Sequence, residues 1–483
     1  MPRPAPPGAP GASAPAAAAG APLRARLQAR ARVLLDGPRA AVLWPATPLK
    51  RVSLNLPFVC LLVYLLVVHS GRLPIGQYVL ALGLAFTPML PGGLRFPRPL
   101  VWFSALLGWA LVSALASPFQ DKALEMTYEL AKVWLIAVLG VNALRTREQL
   151  RLFVVAWLGL FAIFPVRGTL ANYLAGIGTN GRYYWNFSFE NPNDLASFCL
   201  LQVGLCFALL QVERVRWVRL SAMLGIAALS FTIVITQSRG GMLALGTMYL
   251  IAFVRQRNKL RMGLLLAGAG AVVLVAAPEK VFKRLEGLTV LFGGVENVEA
   301  ADKEQSAASR WAIWQVASHI FSERPVTGIG WGTYATAHAR YEPEVDGVPI
   351  TAQGKRDAHS TYMRLAAEVG APGLLCFAAI IVSSRRMVSQ ARRRLKTTAP
   401  ELDGFLLALL AGQLGYLQAG IFGSYAHLPF LYLYTGVMVV TTTLYATLPA
   451  GAPAAATRLP AARRPMGGRF APAGAPAPAG VAA

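Results

Sequence analysis

The sequence predicts an all-α, polytopic integral membrane protein of about 12 transmembrane helices, with one long outward loop containing amphipathic helices. Three observations predict it. Hydrophobic residues make up 55% of the 483 positions and charged residues only 14%, with a mean hydropathy of +0.48, a balance foreign to a soluble domain of this size. Apolar runs long enough to cross a bilayer recur along the chain. The basic residues behind the net charge of +24 sit in short clusters between those runs. That pattern belongs to loops facing anionic lipid, so nucleic-acid binding is rejected.

The elements follow in chain order. Residues 1–52 are rich in Ala, Pro, Gly and Arg, lack a signal-peptide core before Leu54, and are expected to be a disordered cytoplasmic segment. Spans one to nine are expected at 53–70, 76–91, 99–117, 123–142, 150–173, 193–212, 218–236, 240–254 and 262–278. A polar loop occupies 279–359 and carries eleven of the 22 acidic residues, which marks it as functional or separately folded. Within it, "SRWAIWQVASHIF" has helical periodicity, with apolar positions at Trp311, Trp314, Val316 and Ile320, and "GIGWGTY" reads as a turn-rich connector. Spans ten to twelve are expected at 360–383, 403–422 and 427–447, ahead of a disordered cytoplasmic tail, 448–483. Cys60, Cys199, Cys206 and Cys376 all fall in apolar runs, without metal or disulfide spacing, and read as packed thiols.

Basic residues orient these spans. Alternate loops carry Arg95 and Arg98; Arg145, Arg147 and Arg151; Arg214, Arg216 and Arg219; Arg255, Arg257, Lys259 and Arg261; and six more between Arg385 and Lys396. The short loops of the other set show only Arg72, Lys122, Arg182 and Arg239. The first set is therefore cytoplasmic, both termini with it, and the 279–359 loop lies outside.

Sidedness sorts the unusual residues. Arg239 in "TQSRGG", Arg310 at the start of the loop helix and His359 before span ten share the outer face. Arg167, about 17 residues into span five, reaches the same boundary at about 1.5 Å per residue. Bland readings exist for each: a snorkelling Arg239, Arg310 paired with Asp302 or Glu304, His359 as a helix-end residue, and Lys132 neutralised by Glu129 three positions earlier. Gly240 and Gly241 favour close approach of backbone beside Arg239. Taken together, two fixed guanidinium forks suit a diphosphate and the charge that develops as it leaves. A histidine kept neutral at a helix N-terminus suits proton abstraction from an incoming hydroxyl. This describes glycosyl transfer from a lipid-linked diphosphate sugar. A divalent-ion site at Glu342, Glu344 and Asp346 is weaker, because no second ligand cluster is evident, and no metal or cofactor is expected.

The stretch "HSTYMRLAAEVGAPG" fits H-[NSQ]-x9-G-x-x-G, with His359, Ser360, Gly370 and Gly373 in the fixed places. It resembles the signature of the bacterial O-antigen ligases, within the superfamily that also holds O-antigen polymerases and protein O-oligosaccharyltransferases. Arg239 and Arg310 resemble the family's two periplasmic arginines in order and spacing, and "FENPNDLA", with Asn191 and Asn193, resembles its NPN segment. The resemblance implies an inverting, metal-independent transfer of O-antigen polysaccharide from undecaprenyl diphosphate to a sugar hydroxyl of lipid A–core, at the periplasmic face of the inner membrane. It implies His359 as base and Arg239 and Arg310 as catalytic clamp, with Arg167, Lys132, Asn191, Asn193 and Tyr362 as further substrate-binding candidates.

Three alternatives stand beside it. A polymerase would carry arginine-rich RX10G repeats, and here Leu250 and Phe321 occupy the glycine positions. A protein O-oligosaccharyltransferase is poorly separated by sequence. A lipid-linked glycan transporter would show an internal repeat of spans and charges along a path, whereas these gather at one face. Sugar identity and oligomeric state are not written in the sequence.

Overall fold

A computed structural model describes residues 44–45, 52–71, 73–179, 181–185, 189, 191–255, 259–260, 263–264, 267–268 and 306–446. Its helices are α1 (Leu56–Ser70), α2 (Gly76–Phe86), α3 (Arg98–Leu115), α4 (Gln120–Ala143), α5 (Arg147–Leu174), α6 (Pro192–Val212), α7 (Arg216–Ile235), α8 (Arg239–Arg255), α9 (Ser306–Glu323), α10 (Tyr334–Tyr341), α11 (Thr361–Thr398), α12 (Pro400–Ala419) and α13 (Pro429–Leu444). The described residues form no strand beyond one isolated bridge, Thr179 to Arg182.

Six helices, α3, α5, α6, α7, α11 and α12, are long and apolar enough to cross a membrane, and α1, α8 and α13 are shorter apolar helices. The sequence predicts about twelve spans; among the described residues six meet the length and composition for crossing. Helix α2 has only 11 residues. Helix α4 carries Asp121, Lys122, Glu125, Glu129 and Lys132 in its first half. The expected span at 262–278 and both terminal segments lie outside the described residues, apart from a few positions.

Local chemistry sets the helix limits. Asn55 caps α1 by accepting from Phe58 N–H at 2.9 Å, and Gly71 ends it at φ 62°. Thr146 and Gln149 form a reciprocal capping box at α5. Pro165 breaks the ladder of α5 and leaves a π turn at Ala162–Val166. Helix α6 is apolar on all sides and accordingly almost wholly buried. It packs along α12, where Gly204 faces Gly412 so closely that a methyl on Gly204 would meet the Gly412 Cα at 2.8 Å.

Two kinds of connection separate to opposite ends of the bundle. At one end Arg145 donates to Gly93 O, Asn142 pairs with Arg95, Arg151 bridges to Glu213 and Arg214 reaches Glu401. At the other end lie 116–119, 174–179, 181–185, 191–192, 236–239 and 420–428, together with the described part of the long loop. That part, 306–359, is a small folded unit. Its own core joins Ile313, Val316, Ile320, Ile329, Tyr334 and Tyr341. Of the expected stripe on α9, Val316 and Ile320 are in this core and Trp314 packs against it, joined by Ala312, Ile313 and Ala317, while Trp311 is 63% exposed.

The unit docks on a break in α11. Gly370 has φ 63° and ψ −169°, so the helix kinks there instead of running straight. The kink frees the carbonyls of Ala367 and Glu368, which accept from the N–H groups of Ile329 and Gly330 at 3.1 and 2.8 Å. Gly330 itself sits at φ 101°, against Ala123 and Ser117. The span expected at 360–383 is thus a short segment outside the kink plus a long helix that continues to Thr398.

Candidate active site

His359 ends the loop unit, one residue before the N-cap of α11. Its backbone is left-handed, φ 47°, a conformation unusual for a residue with a Cβ. Asp357 holds that turn. Its Oδ2 accepts from His359 N–H at 2.9 Å and lies 3.5 Å from the imidazole Nδ1. Asp357 is itself held by Ser424 Oγ at 2.8 Å and by Arg364 at 3.3 Å, and Arg364 is tied to the buried Glu368 at 2.9 Å. Nδ1 thus faces a carboxylate, while the His359 side chain remains 40% exposed.

The electrostatics favour a neutral imidazole. Partial burial lowers the His359 pKa below its ordinary value, Asp357 opposes that shift, and the guanidinium groups of Arg310, Arg182 and Arg356 reinforce it. Asp357 stays ionised: burial raises its pKa, but Arg364, His359 and two hydrogen bonds lower it further. Arg310 is half-buried on α9, and its charge acts on both His359 and Tyr425. Its alternative partners Asp302 and Glu304 lie outside the described residues.

Arg239 opens α8 at the same end. The turn before it holds Gln237 at φ 52°, with its amide donating to Gly181 O at 2.7 Å. The close approach expected at the glycines is present. A methyl on Gly240 would meet Phe422 at 3.1 Å and one on Gly241 would meet Ala196 at 3.0 Å. Phe422 belongs to the connector 420–428, whose Ser424 binds Asp357 and whose Gly420 and Gly423 carbonyls accept from Thr361. This connector joins the Arg239 turn to the His359 turn.

The remaining candidates separate clearly. Asn191 is the N-cap of α6, accepting from the N–H groups of Asn193 and Asp194, with Pro192 in the first turn. Asn193 Oδ1 receives Arg182 Nη2 at 2.7 Å, and Arg182 Nε donates to Thr236 O at 2.8 Å, three residues before Arg239. Sequence reasoning counted Arg182 only as an outer-loop residue and missed it as part of this cluster, along with Asp357 and Ser424. Nothing local in "GTNGRYYW" singles Arg182 out; only the fold brings it to Asn193.

Tyr362 donates its hydroxyl to Leu417 O at 2.8 Å and serves to fasten α11 to α12. Lys132 pairs with Glu129 at 2.5 Å on an open face of α4 and is away from this cluster. Arg167 is exposed after the π turn of α5, beside Gly168, which packs on Trp185, and has no described contact with these residues. The acidic run near 342–346 does not act as one ligand set. Glu342 accepts from Gly354 N–H, whereas Glu344 turns to His319 at 3.1 Å, near Glu323.

With Arg310 and Arg182 acting on it and Asp357 behind it, the His359 imidazole is an uncharged group beside cationic ones, an arrangement suited to taking a proton next to an anion. Residues 224–378 match the family model described as O-antigen ligase, a stretch that includes Arg239, Arg310, His359, Gly370 and Gly373. No curated protein matches the chain.

Proposed function

We propose, starting from the match of residues 224–378 to the O-antigen ligase family model, that the protein moves O-antigen polysaccharide from undecaprenyl diphosphate to a sugar hydroxyl of lipid A–core. The family assignment carries the coarser statement, a ligase- or polymerase-type membrane glycosyltransferase. The observation that supports the finer reading is the His359 turn: an imidazole backed by Asp357 and under the influence of Arg310 and Arg182.

In this reading Asp357 holds the tautomer with hydrogen on Nδ1, which leaves the Nε2 lone pair for the acceptor hydroxyl. The hydroxyl oxygen attacks the anomeric carbon as its proton passes to Nε2. The bond from that carbon to the phosphate oxygen breaks, and its electron pair leaves with the diphosphate. Arg239, Arg310 and Arg182 stabilise the charge arriving on the leaving group. Attack opposite the leaving group inverts the anomeric centre. The site would face the periplasm, on the side away from the arginine-rich connections.

The test is reconstitution of the purified protein with a lipid-linked glycan and separately offered acceptors: lipid A–core, a pilin peptide, or a second donor. Product on lipid A–core alone is expected, and its absence with His359→Ala. Product on the peptide or the second donor instead would replace this reading with the protein-modifying or polymerising one. Full turnover by His359→Ala would remove the base.

A further inference from the structure

We infer that the end of the bundle opposite His359 holds a specific site for an anionic glycerophospholipid. Two adjoining cavities of ≈ 480 and ≈ 510 Å³ open between α8, α11 and α12, and the second also reaches α6. They share Ile251, Arg392, Leu407 and Ala411, so they form one groove. Its floor is apolar at one end, with Leu250 and Leu414, and mixed at the other, where Gln211 and Asp403 stand beside Met248 and Phe207.

Its rim is cationic. Arg385, Arg392 and Lys396 stand at i, i+7 and i+11, which places them on one face of α11. Arg392 is matched by Asp403 at 2.7 Å. Arg385 is half-buried, and among the described residues no carboxylate pairs with it or with Lys396. A partly desolvated guanidinium facing an apolar groove is costly without an anion. A phospholipid supplies that anion together with the acyl chain that the floor accommodates. The phosphodiester would sit at Arg385, the rest of an anionic headgroup toward Arg392 and Lys396, and a chain along Ile251, Leu407 and Ala411. None of these residues belongs to the His359 cluster, so the site stands apart from the transfer reaction.

The experiment uses the full chain in detergent micelles, titrated with dioleoylphosphatidylglycerol, dioleoylphosphatidylcholine or undecaprenyl phosphate, with binding read by native mass spectrometry. Phosphatidylglycerol is expected to bind about tenfold more tightly than phosphatidylcholine, because both bring the phosphodiester but the latter sets a choline cation against the cationic rim. Arg385→Gln with Lys396→Gln is expected to erase the preference. Lys396→Gln alone, at an exposed position, should reduce it about threefold and serves if the double variant does not fold. Equal affinity for the two phospholipids, or a preference unchanged by the variants, would overturn the proposal. So would tighter binding of undecaprenyl phosphate, or no saturable lipid binding, which would assign the groove to another occupant.

Discussion

Replacing Gly370 with Ala separates the structural part of the H-[NSQ]-x9-G-x-x-G signature from its chemical part. At φ 63° and ψ −169° the residue occupies a region nearly closed to side chains, a cost of about 1–3 kcal/mol. The new methyl would lie 2.1 Å from Val326 O and 2.7 Å from Pro325 O. Both are backbone atoms, so relief requires pushing the 325–330 turn off the kink. That turn is held by Ala371 N–H to Pro325 O at 2.8 Å, by the bonds from Ile329 and Gly330, and by Ser113 Oγ to Thr327 O at 2.6 Å. Losing two of these at about 1 kcal/mol each brings the total to about 3–5 kcal/mol. Hydrogen–deuterium exchange of the Ile329 and Gly330 amides reads this directly. Their exchange should speed up by between about a hundred and a few thousand fold, at about 1.4 kcal/mol per decade. His359→Ala should leave the same amides protected. Unchanged exchange in Gly370→Ala would refute the docking role of the kink.

His359→Ala should abolish product formation while leaving expression and helical content unaltered, as measured by circular dichroism and the reconstituted assay. Arg239→Lys should lose at least about tenfold in turnover, because a point charge replaces a planar fork; near-normal rates would free it from the diphosphate. Asp357→Asn removes the group that raises the His359 pKa. Because a base works only when deprotonated, the acid limb of the pH–rate profile should move to lower pH as the maximal rate falls. A limb that stays fixed, or moves up, would contradict the pairing. Activity should persist in EDTA, and loss reversed by added divalent ion would give the His319, Glu323 and Glu344 cluster a ligand role.

Much of this was legible before any coordinates. Apolar runs found most helix positions, because hydropathy and length govern bilayer crossing directly. Two expected spans fall on helices outside the six, α2 because it is short and α4 because its first turns are charged, features that a window average blurs. The outer unit was visible as a polar insertion, and Trp314, Val316 and Ile320 of its expected stripe pack on its core, whereas Trp311 does not. Trp311 looked like core by size, whereas the packing selects the smaller Ala312 and Ile313 beside Val316 and Ile320. Arg239, Arg310 and His359 were picked out by motif and side, and their roles stand as part of the proposed reaction. Asn191 and Tyr362 were read as substrate contacts, yet their polar atoms are engaged in capping and fastening, which a motif cannot distinguish from binding. Arg182 and Ser424 are joined to the cluster by contacts spanning 11 and 67 positions, a separation that no local pattern records, whereas Asp357 lies two positions from His359 and went unread.

The connector 420–428 has a mechanical consequence. It is bonded to the histidine turn through Ser424 and Gly423 and wedged by Phe422 against the first turn of α8. The turn that opens α8 and the turn that holds His359 therefore share one strut, so a displacement of either would be passed to the other through nine residues.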